Sequence, residues 1–539
     1  VVVDGSGGVK VSNNSHNNIN SIDSITLQNG GTFTDNSSGG FVQSIPATVS
    51  FNNGGTMTST AAGNASYGNF FFHQNFSVSG SGLATISAQA ISLNGARTVT
   101  VADTVAGAAT DLLISSIVRP QNGTSLTKAG DGTMTLTGAN TYDKPVNVNA
   151  GTLELQNGSA LGDASLVTVN ASGTLEVDDA ETIGRLTGAG DVTLNATLTC
   201  GDTTSSEVSG DISGAGGLVK QGASTLTLSG DNSSFSGGIT LNNSGSTLSL
   251  NSANAAGSGP LSFGYQTHLY NGASGPDSID NDISFGDWFY WDSGSKALTV
   301  NGACTVASDV FWANSANTLT LAGVVSGSSK DRLRVYSTGT LALTNPNNDF
   351  TSNPDPTYGA TIQFATIANS GVNSSLGAGT TLHFDYANQD KSGYYECIGA
   401  GGSSDRAVTF GAGSGSTPAG IANNGTGALE FSGTFSYLSG AGSAKTLLLG
   451  GSYAGTNSIS SVLSDGSGGG TLALTKEGTT TWALTGQSTY TGGTTVNDGT
   501  LELSGGANRI DGALTVDGSG IVKVSNGAHN NLDTIDSIT

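Results

Sequence analysis

One four-residue pattern recurs along this chain: threonine, an apolar residue, any residue, and a second apolar residue. Such period-2 alternation is typical of a β-strand with one buried face. In GTLEL at 151–155, it predicts that Leu153 and Leu155 point into a core, while Thr152 and Glu154 face solvent. The pattern begins at Thr133, Thr152, Thr174, Thr197, Thr225, Thr247, Thr318, Thr340, Thr381, Thr446, Thr471, Thr481 and Thr500.

The spacing of these strands constrains the fold most strongly. Thr133 and Thr152 are 19 residues apart, Thr152 and Thr174 are 22 apart, and Thr174 and Thr197 are 23 apart. Similar strands that return every 19–25 residues indicate one turn of a solenoid per return. The intervals are rich in Gly and Asn, which supply the positive φ angles of sharp corners. We therefore predict an all-β fold, one continuous parallel β-solenoid over residues 1–539.

Two other folds fit less well. Gly and β-branched residues dominate and no apolar stripe recurs every 3.6 residues, which disfavours helices. A row of immunoglobulin-like sandwiches would need antiparallel hairpins and linkers between blocks of roughly 100 residues. The composition is even from end to end, with no visible linker, so sandwiches are the less favoured alternative.

The charge balance limits the partners. The chain has 17 Lys and Arg against 40 Asp and Glu, a formal net charge of −23. Such an acidic surface repels phosphate backbones and anionic lipid headgroups. No apolar run approaches the roughly 20 residues that a membrane-spanning helix needs. We therefore expect neither nucleic-acid binding nor membrane insertion of this segment.

Three longer segments share one pattern. They read LTKAGDGTMTLTGANTYDKPVNVNAGTLEL at 126–155, LVKQGASTLTLSGDNSSFSGGITLNNSGSTLSL at 218–250 and LTKEGTTTWALTGQSTYTGGTTVNDGTLEL at 474–503. This pattern resembles the autotransporter-associated β-strand repeat, also called the passenger-associated transport repeat. The first segment has DKP at 143–145, where the family usually has a glycine pair. The resemblance implies a right-handed parallel β-helix that is exported to the cell surface or released.

Residues that could carry chemistry are few. No two of the five histidines lie at metal-ligand spacing, and no nucleophile or phosphate-binding motif occurs. Cys200, Cys304 and Cys397 read as small core residues, with an intermolecular thiol as a minor alternative. We expect no metal, no cofactor and no enzymatic activity.

Parallel β-helices often carry polysaccharide-active enzymes, which need carboxylates from adjacent turns on one face. Two charged clusters could meet this need, although solvated surface is the favoured interpretation of both. The first contains Glu176, Asp178, Asp179, Glu181 and Arg185, and the second contains Asp331, Arg332 and Arg334. A polysaccharide-active enzyme, or a glycan-binding tailspike-like β-helix, is thus the alternative function.

An aromatic cluster lies in FGDWFYWD at 285–292. Alternation puts Trp288 and Tyr290 on one side of the strand and Phe289 and Trp291 on the other. One pair can enter the core, while the other is covered by a loop or forms a contact surface for a protomer or a glycan. The candidate contact residues are Trp288, Phe289, Tyr290, Trp291, Phe311 and Trp312.

A longer repeat encloses all of these features. Residues 3–26 match residues 516–539 at a constant offset of 513, with six differences in 24 positions and therefore 18 identities. We predict that 1–513 is one repeat unit and that 514–539 begins the next. The expected partner is the chain itself, as a covalent tandem array or by head-to-tail stacking, with lateral bundling possible in either case. Junction residues are Val3, Lys10, His16, Ile22, Val516, Lys523, His529 and Ile535.

The leading functional hypothesis combines these predictions. A solenoid period without catalytic motifs is typical of a structural protein, and few Lys or Pro residues protect the open edges of the sheet. We therefore expect an extracellular or cell-surface β-solenoid that forms a rod or fibre for surface display, adhesion or matrix.

Overall fold

The computed structural model describes residues 1–12, 15–17, 19–105, 107, 109–121, 125–307, 310–327, 332–384, 393–411, 418–437, 444–506, 509–525 and 535–539. Over these ranges the regular structure is β-strand, and no helix there could cross a membrane. The chain forms two compact units, Val1–Pro260 and Leu261–Thr539.

The first unit is built from short parallel strands. Its strands are β1 (Val2–Asp4), β2 (Gly8–Val11), β3 (Ser24–Gln28), β4 (Thr32–Asp35), β5 (Gln43–Ile45), β6 (Thr48–Asn52), β7 (Gly55–Ser59), β8 (Phe70–Phe72), β9 (Phe76–Ser79), β10 (Ala84–Ile86), β11 (Ala90–Asn94), β12 (Arg97–Val101), β13 (Thr110–Ile114), β14 (Ile117–Gln121), β15 (Leu126–Ala129), β16 (Thr133–Leu136), β17 (Val146–Leu155), β18 (Leu166–Val177), β19 (Glu181–Ile183), β20 (Arg185–Gly188), β21 (Asp191–Leu194), β22 (Leu198–Cys200), β23 (Ser206–Val208), β24 (Ile212–Ser213), β25 (Leu218–Lys220), β26 (Thr225–Leu228), β27 (Ile239–Leu241) and β28 (Thr247–Leu250).

The strands of this unit pair in parallel with the corresponding strands of adjacent turns. One column runs β1–β3–β6–β9–β12–β15–β17–β18–β20–β23–β26–β28. A second runs β2–β4–β7–β10–β13–β16–β17–β18–β21–β24. A third face is formed by β5–β8–β11–β14 and, further along, by β19–β22–β25–β27. Parallel columns of this kind define a β-solenoid.

The second unit repeats this architecture. Its strands are β29 (Leu261–Phe263), β30 (His268–Asn271), β31 (Ser278–Ile279), β32 (Ile283–Phe285), β33 (Phe289–Trp291), β34 (Leu298–Val300), β35 (Cys304–Val306), β36 (Val310–Ala313), β37 (Leu319–Leu321), β38 (Val325–Ser326), β39 (Arg332–Tyr336), β40 (Thr340–Leu343), β41 (Asn353–Pro356), β42 (Thr361–Thr366), β43 (Thr381–Phe384), β44 (Tyr394–Ser404), β45 (Ala407–Phe410), β46 (Ala419–Asn423), β47 (Leu429–Phe431), β48 (Phe435–Tyr437), β49 (Lys445–Gly451), β50 (Thr456–Ile459), β51 (Leu472–Lys476), β52 (Thr481–Leu484), β53 (Thr494–Val496), β54 (Thr500–Leu503), β55 (Gly512–Val516), β56 (Ile521–Val524) and β57 (Ile535–Ile538).

Its columns are again parallel. The strands β30–β33–β36–β39–β41 form one face and β31–β34–β37–β40–β42–β44 form another. Beyond β44, the columns β46–β49–β51–β53–β55–β57 and β47–β50–β52–β54–β56 continue side by side. The predicted parallel β-solenoid is confirmed.

The core of each unit consists of the inward positions of these strands. All thirteen predicted strand patterns lie in or at the start of strands, and their apolar residues are buried, as at Leu153 and Leu155. Cys200, Cys304 and Cys397 are also buried with free thiols, as predicted. Because each turn buries its apolar side against its neighbours, stability accumulates from turn to turn.

Candidate contact surface

An aromatic ladder follows one face of the second unit. His268, Tyr290, Trp312 and Tyr336 occupy the same register position in β30, β33, β36 and β39. Successive ring centroids are 4.3, 5.7 and 4.8 Å apart, with interplanar angles of 6°, 11° and 23°. Tyr358 extends the ladder at 5.4 Å from Tyr336. Stacked aromatic pairs stabilise by about 0.5–1.5 kcal/mol each beyond their buried area.

The residues that alternate with the ladder lie in the core. Phe289, Trp291 and Phe311 are 0–1% exposed, and the Trp291 indole N–H donates to the Asn317 carbonyl at 3.0 Å. The ring of Phe311 lies 4.8 Å from that of Phe285. The predicted alternation is confirmed, but including these three residues in an accessible contact surface was wrong. Their side chains point inward from the same strands that present Tyr290 and Trp312 outward.

Two aromatic side chains project beside the ladder. Trp288 is 36% exposed and Tyr265 is 53% exposed. The ring of Trp288 lies 6.2 Å from that of Trp312 at an angle of 45°, so it is not stacked in the ladder. Trp288 has a φ of +58°, a left-handed conformation that is unfavourable for a bulky residue. Strained backbone of this kind clusters at functional sites, where the surrounding structure maintains it.

Polar groups complete this surface. His268 Nδ1 lies 2.7 Å from Asp292 Oδ1, and the Trp288 amide donates to Asp287 Oδ1 at 3.1 Å. Partial burial, with Tyr265 and Asp292 nearby, raises the pKa of Tyr290. The Trp312 indole N–H is buried without a hydrogen-bond partner within the described ranges, so it adds no accessible polar group to this surface. We use the name aromatic surface for Tyr265, His268, Trp288, Tyr290, Asp292 and Trp312.

The aromatic surface has a definite chemical preference. Stacking covers the ring faces inside the ladder, so the ladder presents ring edges, while Trp288 and Tyr265 offer apolar area. The neighbouring carboxylates disfavour an anionic ligand. A neutral ligand with both apolar and hydroxyl groups fits these features best.

The structure brings part of the first acidic cluster together. Asn195 Nδ2 donates to Glu176 at 3.0 Å and to Asp178 at 2.8 Å. Glu154, which the sequence prediction did not include, interacts with Asp178, and burial is the main cause of its raised pKa. Sequence could have pointed to it, because Glu154 and Glu176 hold the same place in two successive strands.

The other residues of that cluster have separate partners. Asp179 accepts from the Asn157 amide at 2.8 Å, and the buried Glu181 accepts from the Ala160 amide at 2.7 Å. Arg185 pairs with Asp202 at 2.9 Å. The carboxylate that pairs with Arg185 thus lies outside the predicted cluster.

The second charged cluster is organised around a residue that the sequence prediction did not include. Arg332 Nη1 lies 3.2 Å from Asp355 Oδ2, and Arg334 Nε lies 3.9 Å from the same oxygen. Asp355 is fully buried in β41. Asp331 lies outside the described residues. The two arginines therefore face a buried carboxylate one turn later.

Five of the eight predicted junction residues lie in the first two or the last three strands. Val3 is buried in β1, Lys10 is exposed in β2, and Ile22 is half-buried after a turn. His16 Nδ1 accepts from the Val42 amide at 3.2 Å. Val516 ends β55 and the exposed Lys523 lies in β56. Ile535 begins β57, and His529 lies outside the described residues.

Each of the three related segments contains a buried lysine that sequence reasoning missed. Lys128 Nζ donates to the carbonyls of Gly130 and Ala150 at 2.6 and 2.9 Å. Lys476 Nζ donates to those of Gly478 and Asp498 at 2.7 and 3.0 Å. Burial lowers the pKa of both lysines to about 8. The alternation in LTK did contain the signal, since it places the lysine on the same side as the core leucine.

The third lysine makes similar hydrogen bonds, and in all three segments a glycine with a positive φ follows two residues after the lysine. Lys220 Nζ donates to the carbonyls of Gln221 and Gly222 at 2.6 and 2.9 Å. Gly130, Gly222 and Gly478, two residues after the lysines, have φ angles of +78°, +77° and +64°. A Cβ there would meet a backbone oxygen of the preceding turn at 2.2–2.4 Å, so only glycine fits.

Comparison with known families agrees with this local structure. The passenger-associated-transport-repeat model matches residues 126–155, 218–250 and 474–503. The chain is therefore a parallel β-solenoid that contains passenger-associated-transport-repeats, as the sequence resemblance predicted.

One relative extends the comparison over most of the chain. The sequence is 30% identical over 455 residues to the Adhesin BmaC autotransporter of Brucella suis biovar 1 (strain 1330). The match covers 78% of this chain but only 13% of that adhesin, so the chain spans a small part of its relative's length. No solved structure matches the chain.

Proposed function

We propose that this chain is part of an adhesive protein on the bacterial surface, in which the β-solenoid is the scaffold and the aromatic surface makes contacts. The main support for this proposal is the exposed Trp288, which is held in a left-handed conformation beside an ordered aromatic ladder. The similarity to an autotransporter adhesin and the three repeats support a location outside the cell.

The proposed ligand class is a neutral glycan. Sugar rings combine apolar faces with hydroxyl groups, which suits an aromatic surface flanked by Asp287 and Asp292. The net charge of −23 disfavours sulfated or sialylated glycans. Contact with a neighbouring protomer is the competing outcome.

The proposed organisation is a tandem array of units of 513 residues in a surface fibre. The ungapped match between residues 3–26 and 516–539 supports it. A fibre of stacked turns would display the aromatic surface once in every repeat unit. Such repetition raises avidity without any new contact.

Substituting Trp288 and Tyr265 by Ala tests the adhesive role. We expect the double variant to lose most of its binding to an array of neutral glycans, with a circular dichroism spectrum like that of the wild type. Tyr67→Ala is a matched control, because Tyr67 is 39% exposed in the first unit. Equal glycan binding by all three proteins would contradict the proposal, and unchanged glycan binding with lost self-association would identify a protomer contact instead.

A further inference from the structure

Where the structure describes both matching segments, one strand and one strand register recur at the same offset as the sequence. Strand β2 spans Gly8–Val11 and β56 spans Ile521–Val524, a displacement of 513 residues. Val2 of β1 lies opposite Thr26, and Leu514 of β55 lies opposite Ile538. Subtracting 513 from the second pair gives Val1 and Ile25, which is the register of the first pair. Strands β2 and β56 are therefore equivalent in position, and the β1–β3 and β55–β57 pairs are equivalent in register.

They differ in the strands on their preceding edges. In β54 and β56, Leu501, Glu502 and Leu503 lie opposite Val522, Lys523 and Val524. Strands β53 and β55 pair in the same way, with Thr495 opposite Thr515. The corresponding edges of β1 and β2 have no strand partner within the described ranges, and Val2 is 65% exposed.

Strands β2 and β56 also differ on their following edges, where β2 has a strand partner and β56 has none among the described residues. Strand β2 pairs with β4, and its Val11 is 8% exposed. Val524, the equivalent of Val11, is 51% exposed, and β56 has no strand on that side among the residues that the structure describes. Strand β2 therefore shows the pairing on the following edge, and its equivalent β56 shows the pairing on the preceding edge.

We propose that β1 and β2 of one 513-residue repeat unit pair with β53 and β54 of the preceding repeat unit, with Lys10 opposite Glu502. The sheet would then cross the boundary between repeat units without a linker. The partner is thus a second copy of this unit, which deepens the tandem organisation proposed above. Val9 and Val11 would continue the column of Leu501 and Leu503.

The side chains around Glu502 support this register. Lys523 Nζ lies 3.1 Å from Glu502 Oε2. A hydrogen bond from Ser525 and the nearby Lys523 lower the pKa of Glu502. The residues equivalent to Lys523 and Ser525, 513 positions earlier in the chain, are Lys10 and Ser12. The Ser12 hydroxyl already accepts from Asn36 Nδ2 at 3.2 Å, and it can still donate its own proton to Glu502.

A chain of two units tests the register. Residues 1–513 are joined directly to a second copy of residues 1–539, with Glu502→Cys in the first copy and Lys10→Cys in the second. Residues opposite each other on adjacent strands are about 5 Å apart, which suits a disulfide. We expect mild oxidation to link them as fully as the reference pair Glu502→Cys and Lys523→Cys in the chain of 539 residues. Peptide mass spectrometry measures the linkage.

The matched control replaces Lys10→Cys with Val9→Cys, whose side chain points to the other face of the strand. Linkage of the reference pair without linkage across the two units would overturn the proposal, as would equal linkage through Val9→Cys. In the chain of 539 residues, β56 already pairs with β54 at Glu502, so the intermolecular test mixes residues 1–513 carrying Glu502→Cys with a chain of 539 residues carrying Lys10→Cys. Intermolecular linkage there would show that separate copies form the same interface.

This result is independent of adhesion. The linkage reports strand register at the unit boundary, whereas glycan binding by the Trp288 and Tyr265 variants reports the aromatic surface. Failed linkage with intact glycan binding would overturn only the junction, and the reverse result would overturn only the adhesive role.

Discussion

Lys476 Nζ lies 3.0 Å from the carbonyl oxygen of Asp498, 22 residues further along the chain. The corresponding distance from Lys128 to the Ala150 carbonyl is 2.9 Å, also across 22 residues. In both repeats, a buried ammonium group therefore joins two successive turns. Hydrogen bonds to charged groups contribute about 1.5–3 kcal/mol, so the lysine acts as a specific cross-link between turns.

Replacing Lys476 by Met should destabilise the third repeat. The substitution keeps the apolar stem but leaves the carbonyls of Glu477, Gly478 and Asp498 without their shared donor. We expect the unfolding free energy to fall by about 1.5–3 kcal/mol, measured by urea unfolding and by faster amide exchange in β51 to β54. Lys144→Met is the control, because this lysine side chain is 40% exposed and, within the described ranges, bonds only the neighbouring Asp143, so the substitution should change stability by less than about 0.5 kcal/mol. Equal stability of Lys476→Met and the wild type would show that the lysine does not link the turns.

The same lysine predicts a pH dependence. Burial lowers the pKa of Lys476 to about 8, whereas an unfolded lysine titrates near 10.4. Between these values the unfolded chain binds more protons, so this lysine's contribution to stability rises with pH and is smallest below pH 8. We expect the difference in unfolding free energy between the wild type and Lys476→Met to grow from pH 8 to pH 10. Because other titrating groups are common to both proteins, a constant or shrinking difference would contradict the prediction.

The sequence predicted the strands more completely than it predicted the contacts between turns. Alternation alone placed Phe289 and Trp291 on the side opposite Tyr290, since it depends only on local geometry. The ladder residues His268 and Tyr336 were missed, because they lie 22 and 46 residues from Tyr290 in the chain. Their alignment with Tyr290 depends on the register between strands, which the sequence pattern does not give.

The buried lysines were missed for a different physical reason. A charged side chain in a strand is ordinarily solvated, since burying a charge without partners is costly. At Lys128, backbone carbonyls from two turns replace the water, and these carbonyls are supplied by main-chain geometry that side-chain patterns do not reveal.

Ser488→Asn should stabilise the third repeat. Asn232 occupies this position in the second repeat, where its side chain accepts from the Ile212 amide and donates to the Ala255 carbonyl, both at 2.8 Å. Ser488 is 3% exposed, and within the described ranges its hydroxyl has no hydrogen-bond partner. Asparagine can bridge both neighbouring turns, so we expect a gain of about 1 kcal/mol in unfolding free energy. Thr489→Asn, at the adjacent exposed position, is the control, and a loss of stability in Ser488→Asn alone would show that the site cannot accept the longer side chain.

Trp288→Asn separates strain from packing at the aromatic surface. Asparagine tolerates the left-handed conformation at φ +58°, so relief of strain should offset the lost contact with Trp312. We expect the unfolding free energy to stay within about 0.5 kcal/mol of the wild type or to increase, while glycan binding falls. Phe289→Ala, one residue away in the core, should instead cost about 3–5 kcal/mol. Urea unfolding and glycan-array binding of the same preparations measure both effects. A loss above about 1 kcal/mol in Trp288→Asn would mean that the exposed tryptophan stabilises the fold, which would remove the main physical reason for assigning it a binding role.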